Sequence, residues 1–206
     1  MIKKFDTKTT LLIIDAQKGI NDAQYYGGIN GRRNNLNAEK NIISLLKKWR
    51  ESNRPVAFTM HDSREKGSPL KLSLETGQQL SNIHPLDKDI VIEKDVNSGF
   101  IGTSLELELR RIQVQRLVVV GFFTNSCIET TVRMAGNMGF DTYLIHDACA
   151  AMNRIGFDGT DYDADLVHNM AISNLHGEFC TAINTTDAIH LLEYDAKDLK
   201  RAQGNE

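Results

Sequence analysis

Residues 116–127 read RLVVVGFFTNSC, an apolar run that leads into a short polar turn and ends on a cysteine. The apolar side chains of this run are consecutive rather than alternating, which is typical of a strand buried on both faces. Residues 10–16 (TLLIIDA) and 141–147 (DTYLIHD) have the same character. Three such runs indicate the central strands of a parallel sheet in an α/β protein.

Working outward from these runs, we find six β-rich segments along the chain. They are Thr10–Ala16, Pro55–Met60, Asp89–Lys94, Arg116–Phe122, Asp141–Asp147 and Glu178–Asn184. Between them, apolar residues recur at three- and four-residue intervals, most clearly over residues 42–49 and 105–112, which predicts helices. A further helix is predicted over about Asp161–Leu175, with Leu166, Met170 and Ile172 facing inward. This alternation predicts a three-layer α/β/α fold with a six-stranded parallel sheet.

The composition describes one ordinary globular domain. The chain of 206 residues has no break in composition and no repeat, so we predict a single domain over 1–206 with its core at about residues 10–193. Lys and Arg number 24 against 27 Asp and Glu, a formal net charge of −3. Because this balance provides no electrostatic footprint for nucleic acid or an anionic membrane surface, we expect neither as a partner.

The cellular location is also predicted from the sequence. The N-terminus turns polar before any apolar run long enough for a signal peptide, and no segment approaches the roughly 18 apolar residues of a membrane span. Three cysteines are an odd number for a disulfide framework, and reduced thiols fit a cytoplasmic protein better. We therefore expect a cytoplasmic protein.

Two stretches between the predicted elements look irregular. They are Asn21–Asn35, which is dense in Gly and Asn, and Asp62–His84, which has little periodicity. Long loops in a compact domain are often lids or interfaces, although ordinary mobile surface loops look the same in sequence. Arg154 lies in another predicted loop, from which it could reach a substrate or a neighbouring subunit.

Reactive side chains follow three of the predicted strands. The first strand ends at Asp15, the third at Lys94, and the fourth runs into the turn before Cys127. Ligands of open parallel sheets bind beyond the carboxyl ends of the strands, so we expect these side chains in one crevice. A carboxylate to take a proton, a cation to hold it ionised and a thiol together form a working set for nucleophilic catalysis.

Each residue of this set also has an ordinary interpretation. Cys127 is predicted to open a helix, where free N–H groups and the helix dipole lower a thiol pKa, but a free cysteine is more often a small buried apolar residue. Asp15 could cap the next segment, and Lys94 could be a solvated lysine. Cys149 and Cys180 have no helix terminus or base nearby, so we interpret both as packing residues.

These residues resemble the cysteine-hydrolase members of the isochorismatase-like superfamily, the group that contains nicotinamidases and N-carbamoylsarcosine amidases. The resemblance extends from about residue 11 to residue 192 and follows four blocks in matching order. The blocks are residues 12–17 (LIIDAQ), 94–105 (KDVNSGFIGTSL), 121–130 (GFFTNSCIET) and 139–148 (GFDTYLIHDA). The resemblance implies the strand order 3-2-1-4-5-6.

The resemblance also implies a mechanism. Asp15 would deprotonate Cys127, Lys94 would hold the carboxylate and the developing charges, and the thiolate would attack a carbonyl carbon to form a thioester. The family pattern places a cis peptide between Phe122 and Phe123, which turns the N–H of Phe123 toward that of Cys127. These two N–H groups would form the oxyanion hole.

The sequence departs from nicotinamidases in two places. Their Asp-x-His metal pair is replaced by TMHDS at residues 59–63, so we expect no metal and no other cofactor. Their stacking aromatic residue is replaced by Ile20, which argues against nicotinamide as a substrate. Substrate contacts are expected from side chains around the predicted crevice: Gln17, Ile20, His61, Phe100, Phe123 and Phe157. Alternatively, His61 is a satisfied polar residue at a strand end, and Tyr25 or Tyr26 supplies the apolar wall.

The sequence therefore predicts a cysteine hydrolase that cleaves an amide or ureido C–N bond of a small molecule and, by resemblance, forms a homo-oligomer. One alternative is vinyl-ether hydrolysis of the isochorismatase type, against which Cys127 argues. Another is a thiol sensor or binding protein on the same sheet, for which a nearby resolving cysteine would be expected.

Overall fold

The computed structural model describes residues 2–192 and is built around one six-stranded parallel sheet. Within this range the strands are β1 (Thr10–Ile14), β2 (Val56–His61), β3 (Ile90–Lys94), β4 (Arg116–Phe122), β5 (Asp141–Ala150), β6 (Arg154–Ile155), β7 (Asp161–Tyr162) and β8 (Thr181–Ile183). The sheet has the order β3-β2-β1-β4-β5-β8, while β6 and β7 form a separate antiparallel pair. Because β8 is the sixth strand of the sheet, this is the predicted order.

Helices cover both faces of the sheet. In chain order they are α1 (Ala23–Gly27), α2 (Ala38–Glu51), α3 (Leu105–Arg111), α4 (Glu129–Asn137), α5 (Ala164–Leu175) and α6 (residues 185–192). The core residues of α2 and α6 belong to one apolar cluster, and those of α3, α4 and α5 belong to the other. The predicted α/β/α architecture is therefore confirmed. No helix within residues 2–192 is long and apolar enough to cross a membrane.

The strand β1 shows why consecutive apolar residues predict a central strand. Leu11 and Ile13 point into the cluster beneath α2, whereas Leu12 and Ile14 point into the cluster on the other face. All four side chains are fully buried. A strand in this position needs apolar residues on both faces, which removes the alternation of a half-exposed strand.

The close approach of β4 to β1 depends on Gly121. Its φ of +127° lies outside the range that other residues adopt readily, and a Cβ here would lie 2.0 Å from the carbonyl oxygen of Ile14. Glycine therefore allows the end of β4 to lie against the end of β1, next to Asp15.

The helix α5 differs from its prediction in its first residue and in part of its buried face. The helix α5 begins at Ala164 rather than Asp161, because the side chain of Asp163 caps it by accepting a hydrogen bond from the N–H of Asp165. Leu166 and Met170, which we expect to face inward, are 50% and 53% exposed, whereas Ile172 packs against the core as predicted. The buried face of α5 instead consists of small residues, a histidine and a leucine, namely Ala164, His168, Ala171 and Leu175.

Candidate active site

The ends of β1 and β3 and the turn after β4 bring the three predicted catalytic side chains together. The Nζ atom of Lys94 lies 2.7 Å from Oδ2 of Asp15 and 3.3 Å from Sγ of Cys127. Asp15 is completely buried, Lys94 is 3% exposed and Cys127 is 7% exposed. A carboxylate, an ammonium and a thiol thus form one buried cluster at the carboxyl edge of the sheet.

Asp15 is fixed by its backbone and by both of its carboxylate oxygens. Its φ is +51°, in the left-handed region that few residues other than glycine adopt, and such strain is concentrated at functional sites. Its N–H donates to the carbonyl oxygen of Thr59 (3.2 Å), and the hydroxyl of Thr59 donates to Oδ1 (2.6 Å). The other oxygen, Oδ2, faces Lys94, so the carboxylate has little freedom to rotate.

Cys127 lies on one turn of π-helix, Thr124–Ile128, which leads directly into α4. The preceding peptide bond between Phe122 and Phe123 is cis. The carbonyl oxygen of Phe123 accepts hydrogen bonds from the N–H groups of Ser126 (3.0 Å) and Ile128 (3.3 Å), which closes the turn around the thiol. Single π-helical turns are frequent at functional sites.

The pKa of Cys127 is shifted in the opposite direction from the one that a helix N-terminus favours. Burial raises the pKa of the Cys127 thiol, the neighbouring carboxylate of Asp15 raises it further, and Lys94 opposes both effects only in part. The helix terminus on its own would lower this pKa, but the desolvation of the sulfur and the charge of Asp15 outweigh it. In the resting site the thiol keeps its proton and needs a base.

Lys94 remains an ammonium. Burial alone lowers the pKa of a lysine, but the negative charge of Asp15 and the contact with Cys127 outweigh it, and the pKa of Lys94 is raised above its ordinary value. Because the ammonium contacts both groups, it stabilises negative charge on either the carboxylate or the sulfur.

His61 also contacts this ammonium. Its Nδ1 lies 2.8 Å from Nζ of Lys94, and the two residues are opposite each other in the β2–β3 register. Burial lowers the pKa of His61, and the charge of Lys94 lowers it further. The imidazole is therefore neutral at neutral pH.

Three of these side chains have the chemistry of metal ligands. Asp15, His61 and Cys127 each offer one ligand atom, and these atoms lie within 4.8 Å of one another. The ammonium of Lys94 contacts all three residues. The donors that a metal would use here are thus already engaged by the cation of Lys94.

Of the three catalytic candidates, Cys127 lines a cavity of about 450 Å³, while Asp15 and Lys94 are not part of its lining. Of the residues expected to contact substrate, Ile20, His61 and Phe123 line this cavity. Tyr26, one of the alternative aromatic residues, also lines it, with its ring centroid 4.6 Å from that of Phe123. Cys127 opens into the same space, so a molecule in the cavity reaches the sulfur.

Three other expected contacts are not part of the cavity lining. Gln17 is buried and hydrogen-bonds with the backbone of His61 and the carbonyl oxygen of Gly77. Phe100 stacks on Phe140 in the core, with ring centroids 6.0 Å apart, and Phe157 is fully exposed. Apolar character alone does not distinguish a core or surface phenylalanine from one in a binding site.

Several lining residues have no individual signal in the sequence. Four of them, Ser63, Glu65, Ser68 and Leu70, come from the irregular stretch Asp62–His84, and Asn97 follows Lys94. The only sequence feature that points to them is the loop itself, which is long and lacks periodicity. Arg154, in β6, also lines the cavity.

Comparison with known proteins shows the family of the chain. Residues 9–187 match the model of the Isochorismatase domain. The chain is 39% identical to the uncharacterized isochorismatase family protein YrdC of Bacillus subtilis, over 90% of this chain and 96% of that protein. It is also 39% identical to the ureidoacrylate amidohydrolase RutB of Acinetobacter baylyi, but only over 34% of this chain and 29% of RutB.

A solved structure extends the likeness to the fold. The putative hydrolase of the isochorismatase family from Chromobacterium violaceum superposes with a TM-score of 0.86 at 35% identity, covering 93% of this chain and 97% of that one. A parallel α/β domain with a buried thiol, carboxylate and ammonium at its carboxyl edge has the layout of a cysteine hydrolase. The chain belongs to the isochorismatase family and is a hydrolase of that family.

Proposed function

We propose that the protein is a cysteine amidohydrolase that cleaves an amide or ureido C–N bond of a small molecule. One observation carries the proposal: the ammonium of Lys94 contacts both Asp15 and Cys127, and Cys127 lines a cavity. This arrangement supplies a nucleophile, a base and a fixed positive charge. The likeness to an enzyme named for ureidoacrylate supports a ureido or amide substrate.

In the first half of the reaction, the S–H proton of Cys127 passes to Asp15 and the sulfur attacks the carbonyl carbon. The N–H groups of Phe123 and Cys127 hold the resulting oxyanion. The protonated Asp15 then gives its proton to the leaving nitrogen as the C–N bond breaks. An amine or ammonia departs, and an acyl group remains on Cys127 as a thioester.

In the second half, Asp15 takes a proton from water and the hydroxide attacks the thioester carbon. The C–S bond breaks, the acid leaves, and the sulfur recovers the proton from Asp15. One water is consumed for each C–N bond cleaved. Throughout the cycle, Lys94 stays protonated and offsets whichever of the two groups carries the negative charge.

The cavity limits the size and charge of the substrate. Its volume of about 450 Å³ is typical of sites for small molecules. Of the two charged side chains in its lining, Glu65 already accepts a hydrogen bond from the hydroxyl of Tyr25 (2.6 Å). The guanidinium of Arg154 has no partner within residues 2–192. We therefore propose a substrate that carries an anionic group, such as a carboxylate, for Arg154 to bind.

The activity is tested with a panel of small carboxamides and ureido compounds, with and without a carboxylate, by measuring the release of ammonia. We expect turnover of at least one compound, and Asp15→Asn should reduce it by about 10³-fold or more, because the thiol loses its base. If Asp15→Asn retained full activity, the assignment of the base would be wrong. Hydrolysis of isochorismate instead of amides would favour the vinyl-ether alternative.

We also propose, from the family resemblance, that the chain self-associates. Light scattering coupled to size-exclusion chromatography measures the mass in solution directly. A mass near that of one chain across the accessible concentration range would contradict self-association.

A further inference from the structure

The ammonium of Lys94 contacts two hydrogen-bond acceptors in addition to Asp15 and Cys127. Its Nζ lies 2.8 Å from Nδ1 of His61 and 3.2 Å from the carbonyl oxygen of Val96. The contacts with Asp15 (2.7 Å) and His61 are the two shortest. The contact with Asp15 is an ion pair, whereas the hydrogen bonds of Nζ go to His61, Val96 and Cys127. An ammonium has three hydrogens, so the hydrogen donated to His61 limits where the other two can point.

The direction of the contact between Lys94 and His61 follows from the chemistry of the two groups. An ammonium can only donate, so Nδ1 of His61 accepts and the ring proton of the neutral imidazole is on Nε2. Both side chains are buried, which gives such a charge-assisted hydrogen bond more weight than it would have in water.

His61 is itself held in place by Gln17. The N–H of His61 donates to Oε1 of Gln17 (2.8 Å), and Nε2 of Gln17 donates to the carbonyl oxygens of His61 (3.0 Å) and Gly77 (2.7 Å). The backbone of His61 is thus clamped from both sides by one buried amide. Gln17 fixes His61, and His61 fixes the hydrogens of Lys94.

We propose that His61 is a positioning residue that acts through Lys94: its Nδ1 orients the ammonium so that one of the other two hydrogens faces the sulfur of Cys127. This inference rests on the proposed function, because the task of Lys94 is defined there. His61 also lines the cavity, so a direct contact between its Nε2–H and the substrate is the competing role.

Two substitutions separate these roles, because each keeps a different half of the imidazole. His61→Asn keeps an acceptor close to the position of Nδ1, whereas His61→Gln keeps a donor close to the position of Nε2. His61→Leu keeps neither. With the best substrate of the panel, we expect kcat to fall about 10- to 100-fold in His61→Leu and His61→Gln, with KM little changed, and to stay within a few-fold of the parent protein in His61→Asn. Rescue by Gln but not by Asn, or a change confined to KM, would overturn the proposal in favour of substrate contact.

Two further measurements do not depend on turnover. Nitrogen-15 NMR of the parent protein should show His61 as the neutral Nε2–H tautomer at neutral pH, and the Nδ1–H tautomer would overturn the inference. Alkylation of Cys127 by iodoacetamide, mapped by peptide mass, should slow in His61→Leu and recover in His61→Asn; equal rates in both variants would contradict it. If no amide is hydrolysed but these two results hold, the proposed function fails while the role of His61 stands.

Discussion

The surroundings of Cys127 and Cys149 differ in what lies next to a buried thiol. Burial raises the pKa of both thiols. Cys127 contacts the ammonium of Lys94 and opens into the cavity. Cys149 is completely buried in β5 opposite Gly121, and within residues 2–192 no cation is hydrogen-bonded to its sulfur. The candidate nucleophile is therefore distinguished by its neighbouring groups and its access to the cavity rather than by an acidic thiol.

The largest expected effect comes from replacing each of the two thiols in turn. Cys127→Ala should lower kcat/KM for the best amide by about 10⁴-fold or more, because the thioester can no longer form. Cys149→Ala should keep kcat/KM within a few-fold and lower only the free energy of unfolding, by about 1–3 kcal/mol. Kinetics and urea unfolding of both variants check this. Equal losses of activity would show that the two thiols do not differ in role.

A second substitution tests the ion pair of Lys94 and Asp15, which lies next to Cys127. Lys94→Met should lower the free energy of unfolding by about 3–5 kcal/mol, because it leaves the fully buried carboxylate of Asp15 unpaired. The double variant Asp15→Asn/Lys94→Met should recover much of this stability, since neither charge remains. Denaturant unfolding of the single and double variants measures the coupling. Strictly additive losses would mean that the pair is not coupled in the folded protein.

Features of the site that depend on local sequence patterns could be predicted, whereas those that depend on burial in the folded protein could not. The apolar run at residues 116–122 and the carboxyl-edge positions of Asp15, Lys94 and Cys127 are local patterns, and they correctly predict the sheet and the cluster. The raised pKa of Cys127 is not local, because it depends on how deeply the sulfur is buried beside Asp15. The orientation of α5 is not predicted by its local pattern either, since its small residues, and not Leu166, face the core.

The pH dependence of alkylation tests whether the pKa of Cys127 is raised. Because the pKa of Cys127 is raised, the thiolate fraction increases as pH rises and does not saturate near about 8.5, the ordinary thiol value. The rate of alkylation by iodoacetamide should therefore increase about tenfold per pH unit through the mildly alkaline range. Peptide mass mapping separates Cys127 from the other cysteines. A plateau already reached at neutral pH would contradict the raised pKa.

The smallest expected effect concerns the cavity, which Cys127 lines and Cys149 does not. Arg154→Gln should raise KM about tenfold for a substrate with a carboxylate, because an exposed charge-assisted contact is lost, and leave kcat nearly unchanged. A neutral amide of similar size serves as the matched control and should show little change. A similar rise in KM for both substrates would argue against an anion contact at Arg154.

The central claim, that Cys127 becomes acylated while Asp15 and Lys94 manage the charge, is tested most directly by intact-mass and peptide-mass measurement during turnover of a small amide. We predict a transient mass increase equal to the acyl group, located on Cys127 alone and absent from Cys127→Ala. Turnover without any adduct under rapid acid quenching, or an adduct on Cys149 or Cys180, would contradict the account.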